Sequence, residues 1–200
     1  AMLATFINLT FSLPLCLLIV DEKRKFLKTL IEVGSFSIIC VSPLVFGTAL
    51  FLLLFEHIDL SANALLLTGF TNGVLMIPIS LAILLPGFKK IKARYGKLMN
   101  IIGVPRTSVL AKFYVPLLKK SIKFSCALVF ALSIGDLGII VLFSGNDIGT
   151  LPMYLYRLIG SYRMDEAYFV AMILLLMAFI SFWLIESGNL NVFKRKQMSD

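Results

Sequence analysis

The chain has few of the groups from which catalytic sites are made. Its 200 residues include one histidine, His57, and three cysteines, Cys16, Cys40 and Cys126, each alone in an apolar run. None has the spacing of a metal site, so the cysteines read as small buried hydrophobes. His57 sits beside Glu56 in a short loop and reads as solvated. No HExxH, Cys/His cluster or Ser/His/Asp grouping can be assembled, and GxxxxGK[ST] is absent, so the chain is not expected to bind ATP itself. Charge is scarce, at 15%, and acid is scarcer than base, with 11 Asp and Glu against 19 Lys and Arg. Between Pro86 and Lys123 there is no acidic residue.

What the chain does have is apolar length. It is 59% hydrophobic with a mean hydropathy of +0.95. That excludes an ordinary soluble domain and predicts an all-α, polytopic membrane protein. Five runs, at about 2–20, 33–55, 62–85, 124–143 and 167–185, are long enough to cross a hydrocarbon core of roughly 30 Å. Pro43 and Gly47 predict a break in the second run, and Gly69, Gly73 and Pro78 predict close packing or a kink in the third. Asn8, Thr10 and Ser12, in the first, are tolerable if they face other helices. Residues 144–165 read as a loop. Its tyrosines, Tyr154, Tyr156 and Tyr162, together with Tyr168 just beyond it, fit an interfacial belt or a mouth for organic cations.

Seventeen of the nineteen basic residues fall in the first loop, the central stretch and the tail, leaving Arg157 and Arg163 on the other side. The positive-inside rule then puts the N-terminus outside and the C-terminus inside. The formal charge of +8 therefore reads as cytoplasmic-side anchoring in a lipid membrane, with no nucleic acid as partner. The chain begins with Ala1 and enters an apolar run at once, as expected of a piece of a longer protein.

The central stretch, residues 86–123, holds ten of the nineteen basic residues. Phe88, Ile91, Leu98 and Ile102 recur at helical spacing, with Lys89, Lys90, Lys92, Arg94 and Lys97 turned away from them. Gly103 and Pro105 interrupt the pattern. A second short helix follows, with Val109, Leu110 and Phe113 on one face, ending at Pro116. So much structure predicts a partner-binding element or a helix lying on anionic lipid.

Asp136, in the sequence SIGDLG, stands inside the fourth run. A charge there costs at least about 2.5 kcal/mol unless it meets a partner or a cavity. Gly135 and Gly138 flank it and would let a helix or ligand come close. Two readings stay open: a polar contact between helices, and a carboxylate lining a translocation pathway.

The segment NIIGVPRTSVLAKFYVPLL resembles the loop shared by membrane subunits of binding-protein-dependent ABC importers. Gly103 and Pro116 keep that family's glycine–proline spacing of thirteen residues. The family's acidic-Ala-Ala opening is replaced by Lys97, Leu98 and Met99, and its Ile and Leu before the proline by Phe113 and Val115. Residues 133–176, with GDLG, TLP and GSYRM, are similar to the C-terminal half of bacterial thiamine importer permeases. Iron(III) permeases are the nearest competitors.

The resemblance implies a type I ABC importer permease fold over residues 1–200, as half of a two-half permease in the bacterial inner membrane. The loop at 86–123 would dock on cytoplasmic ABC ATPase subunits, which use the ATP, through Ile102, Gly103, Val104, Pro105, Arg106 and Pro116. A periplasmic binding protein would deliver the solute, and the other membrane half would be the N-terminal half of the same permease or a second copy. Asp136, Gly135, Gly138 and Tyr156 are the candidates for the pathway. No enzyme activity, cofactor or metal is expected of the chain. An ion-coupled secondary transporter is the alternative of another class.

Overall fold

The computed structural model describes residues 1–54, 60–102, 109–143 and 150–187. Among these residues there are helices and no strands. α1 (Met2–Asp21) is an unbroken helix of 20 residues despite Pro14. After a short turn come α2 (Lys25–Ser37), a 3₁₀ turn (Ile38–Cys40) and α3 (Pro43–Leu54). α4 (Leu60–Leu75) leads into the 26-residue α5 (Ile77–Ile102). The return segment opens with a π-helical turn (Leu110–Tyr114) and one α-helical turn (Val115–Leu117), then enters α6 (Lys119–Ile134). α7 (Ile140–Phe143), α8 (Leu151–Gly160) and α9 (Met164–Ser187) follow.

Two of these helices, α1 and α9, are long and apolar enough to cross a membrane, and two bent pairs raise the count to as many as four. α2 with its 3₁₀ turn meets α3 at 93°, where Pro43 starts the new helix. That is the break expected there, since proline disfavours helical geometry in the residue before it. α4 meets α5 at 41°, at Met76, with Pro78 as the second residue of α5.

The five-span expectation meets its limit at the fourth run. α6 starts earlier than expected, at Lys119, and stops at Ile134, so 124–143 is not one helix. The Asp136 carboxylate accepts the Gly138 N–H at 3.0 Å. A side chain that captures nearby backbone in this way competes with the helical ladder. Pro86, expected to open a separate element, instead lies inside α5. Leu81, Leu84, Leu85, Phe88 and Ile91 form one buried stripe across it, and that continuous packing holds the helix together. Pro116 does not end its helix either. Its ring would crowd the carbonyl four residues back, and the wide π turn just before it, closed by Val115 N–H on the Leu110 carbonyl, relieves that crowding.

α1 is the centre of the bundle, packed on α4, α5 and α6. Gly73 brings α4 onto it: a Cβ there would stand 2.9 Å from the Ala4 carbonyl oxygen and 2.9 Å from the Ile7 Cβ. This is the close packing that the glycines of the third run predict. α9 lies at the periphery against α6 and α8. Cys16 is buried as expected, whereas Cys40 is exposed at the α2–α3 elbow. The expected loop at 144–165 contains α8. It closes with Tyr162 N–H on the Ile159 carbonyl (3.1 Å) and Arg163 N–H on the Leu158 carbonyl (3.0 Å), the Schellman pattern. The residue in the left-handed position is Tyr162, at φ 56°.

Candidate functional site

Three levels of polar structure run along α1. At its C-terminal end is the basic platform. The expected apolar face holds for the side chains described: Phe88 and Ile91 are buried with Val109, and Leu110 and Phe113 pack on the same cluster. Tyr114 stacks on Phe88, with ring centroids 4.6 Å apart and planes 11° from parallel. Burial, and secondarily the negative charge of Asp21, push the Tyr114 hydroxyl up to about 12. The basic face is tied down as well. Lys92 pairs with Asp21 at the end of α1, and Lys89 pairs with Glu32 of α2 at 2.9 Å. Both pairs are partly exposed, so each adds at most about 1 kcal/mol, but they fix which surface of α5 faces outward.

Midway along α1 a buried polar network joins four helices, α1, α4, α5 and α6. Asn8 Nδ2 donates to the Gly73 carbonyl at 3.0 Å, Ser80 Oγ donates to Asn8 Oδ1, and Ser125 Oγ donates to Ser80 Oγ at 2.9 Å. Asn8, Ser80 and Ser125 are at most 1% exposed. Asn8 and Ser12 thus face protein, as expected. Thr10 does not; it is exposed and donates to the Phe6 carbonyl of its own helix at 2.8 Å.

The far end of α1 holds a cavity of about 110 Å³. Asp136, Thr68, Asn72, Ser133 and Thr150 give it polar walls, and Leu3, Leu65 and Ile140 apolar ones. The buried Thr150 hydroxyl has no hydrogen-bond partner among the described residues. α6 is 16 residues long, so about 24 Å separates this cavity from the basic platform. The arrangement can hold a small hydrogen-bonding or cationic group at one end and present a braced basic surface at the other.

The expected pathway residues are only partly brought together. Asp136 lines the cavity. Gly135 and Gly138 flank it, and among the described residues no neighbouring helix comes close to either: a Cβ at Gly135 would meet the Leu132 carbonyl oxygen, at 4.0 Å, and one at Gly138 the Asp136 Oδ1, at 3.6 Å. Tyr156 is exposed on α8 and is not among the residues lining the cavity. Of the expected coupling residues, Ile102 is the last of α5 and Pro116 is exposed on the return segment. Gly103, Val104, Pro105 and Arg106 lie outside the described residues, as do His57 and the basic tail.

The chain is 37% identical over 166 residues to the thiamine transport system permease protein ThiP of Salmonella typhimurium, covering 83% of this chain and 31% of that protein. It is 37% identical to ThiP of Escherichia coli over 78% of the chain, and 31% identical to that of Haemophilus influenzae over 75%. The chain is homologous to the C-terminal part of thiamine transport permeases. It spans only about three-tenths of the length of these relatives. A probable transport system permease protein, NifC of Clostridium pasteurianum, is 27% identical over 92% of the chain and 68% of its own length. No family model matches the chain.

This permease homology and the apolar helices make the chain a membrane protein. Sequence reasoning had reached Asp136 and the basic stretch. It missed the Asn8–Ser80–Ser125 network and the Phe88–Tyr114 stack. The only signal for either was a polar residue in an apolar run or an aromatic in an amphipathic one, and neither names its partner.

Proposed function

We propose that the chain is the C-terminal half of the permease of a bacterial ABC importer, lying in the inner membrane and carrying thiamine. The identity of 37% to two ThiP proteins is the observation that carries this reading. In it, a periplasmic binding protein delivers thiamine to the end of the bundle where Asp136 lies. The N-terminal half, or a second copy, completes the pathway. The basic platform faces the cytoplasm, and the loop through Ile102, Gly103, Val104, Pro105, Arg106 and on to Pro116 docks on the ATPase subunits. Those subunits hold and hydrolyse ATP, and alternating access converts hydrolysis into import.

The carboxylate of Asp136 suits the positively charged thiazolium of thiamine. The cavity of about 110 Å³ is smaller than the whole molecule, so it serves as a contact along the route and not as an enclosing site. A second reading is an ABC permease for another small solute such as iron(III); the 27% identity to NifC, a probable transport system permease whose name gives no solute, leaves room for it. An ion-coupled transporter is the reading of another class, and it leaves the basic platform unexplained.

The test is Gly103→Asp in the full-length permease with its ATPase subunits. The variant should insert normally and let ATP hydrolysis continue while uptake stops. Intact uptake with normal coupling would sink the assignment of this loop.

A further inference from the structure

The C-terminal half of α5, from Pro86, and the return segment from Val109 to Leu118 form two arms that are fastened to each other. On the outgoing arm, Phe88 is fully buried; on the returning arm, Tyr114 is 1% exposed and lies flat against it. One turn further along, Leu118 fills the space over Gly87, where a Cβ would come within 2.5 Å of Leu118 Cδ2. Both arms join one apolar cluster with Cys16, Ile19 and Val20 at the end of α1. Lys92 adds an ion pair from the outgoing arm to Asp21 of α1.

Two helical arms without such fastening would hinge at their weakest points. α5 lacks one backbone hydrogen bond at Pro86, and the return segment carries a π turn, a place where helices bend. The Phe88–Tyr114 stack lies two residues from Pro86, at the C-terminal end of that π turn, so it stiffens both at once. Stacked aromatic pairs resist shear and separation beyond what burial alone provides.

We propose that Phe88 and Tyr114 are positioning residues that clamp the two arms into one rigid lever with the end of α1. A displacement at residues 103–106 is thereby passed into the central helix of the bundle and is not lost by bending at Pro86. This rests on the reading of those residues as the ATPase contact.

The experiment uses the full-length permease with its ATPase subunits and binding protein in proteoliposomes. Thiamine imported per ATP hydrolysed is measured beside the amount of assembled complex. Tyr114→Leu keeps an apolar group of similar burial and loses the stack. It should leave assembly within twofold of wild type and lower the import-to-hydrolysis ratio at least fivefold. Tyr114→Phe keeps the ring and should restore the ratio. An unchanged ratio in Tyr114→Leu, or losses of assembly and import in equal proportion, would overturn the clamp.

A second measurement does not depend on how well that variant folds. Gly87→Cys with Leu118→Cys, in a background without other cysteines, is bridged by a short bifunctional reagent. A rigid lever should import at no less than half its unbridged rate. Import that stops on bridging and returns on cleaving the bridge would mean that the arms must separate, and the proposal would fail. Gly103→Asp separates the two levels. If it uncouples while Tyr114→Leu does not, the clamp alone is wrong; if neither uncouples, the contact and the clamp both fall.

Discussion

Replacing Gly73 by alanine adds one methyl group where α4 meets α1 backbone to backbone. The new Cβ would stand 2.9 Å from both the Ala4 carbonyl oxygen and the Ile7 Cβ. Neither atom can rotate away, so the helices must part. Overpacking of this kind costs about 1–3 kcal/mol. Alanine returns about 0.5–1 kcal/mol by stiffening the unfolded chain, leaving a net loss of up to about 2.5 kcal/mol. Gly34, in α2, is the control, because among the described residues nothing lies within 4 Å of its added Cβ. There the same change should stabilise by about 0.5–1 kcal/mol. Gly69 is intermediate: its Cβ would meet Leu3 Cδ2 at 2.6 Å, the free end of a side chain that can turn aside. At roughly 2–4 °C per kcal/mol, Gly73→Ala should melt about 1–14 °C below Gly34→Ala, with Gly34→Ala above the wild type. The assay is a thermal scan of the detergent-solubilised protein. Coincident melting of the two variants would refute the backbone crossing.

Further variants probe other levels of the bundle. Asn8→Ala removes two interhelical hydrogen bonds, each worth about 0.6 kcal/mol on average within membranes, and should lower stability by about 1–3 kcal/mol once the small void is added. A melting temperature equal to wild type would show the network to be dispensable. Asp136→Asn keeps the size and a hydrogen-bond acceptor but removes the charge, and should cut thiamine uptake at least tenfold while assembly stays within twofold; unchanged uptake would leave Asp136 as the device that ends α6. Tyr162→Gly relieves a left-handed residue at the end of α8 and should raise stability by about 1 kcal/mol, read from the same thermal scan. A lower melting temperature would show that the Tyr162 ring makes contacts worth more than the strain.

How far the sequence reached follows from which forces are local. Apolar length fixed the runs that became α1 and α9, and Pro43 marked the 93° elbow, because both act within one segment. Pro86 misled for the opposite reason. The local penalty of a proline is real, but the buried stripe from Leu81 to Ile91 outweighs it, and that stripe exists only once α1 lies alongside. The fourth run misled in the other direction. Its hydropathy continues past Gly135, while the Asp136 carboxylate diverts the backbone of Gly138 and ends the helix. Asn8 was legible as a residue in need of a partner, but Ser80 and Ser125 stand 72 and 117 positions along the chain, and no periodicity links them. The Asp136 cavity had the same history: one wall was visible in the sequence, and Asn72, Thr68 and Thr150 joined it through folding.

Uptake of labelled thiamine tests the central claim most directly. Cells lacking their own transporter receive the full-length gene together with its ATPase and binding-protein partners. The account predicts accumulation that requires ATP and survives collapse of the ion gradient. No accumulation with a correctly inserted complex would contradict thiamine as the solute, and accumulation that vanishes with the ion gradient would contradict the ATP-driven mechanism.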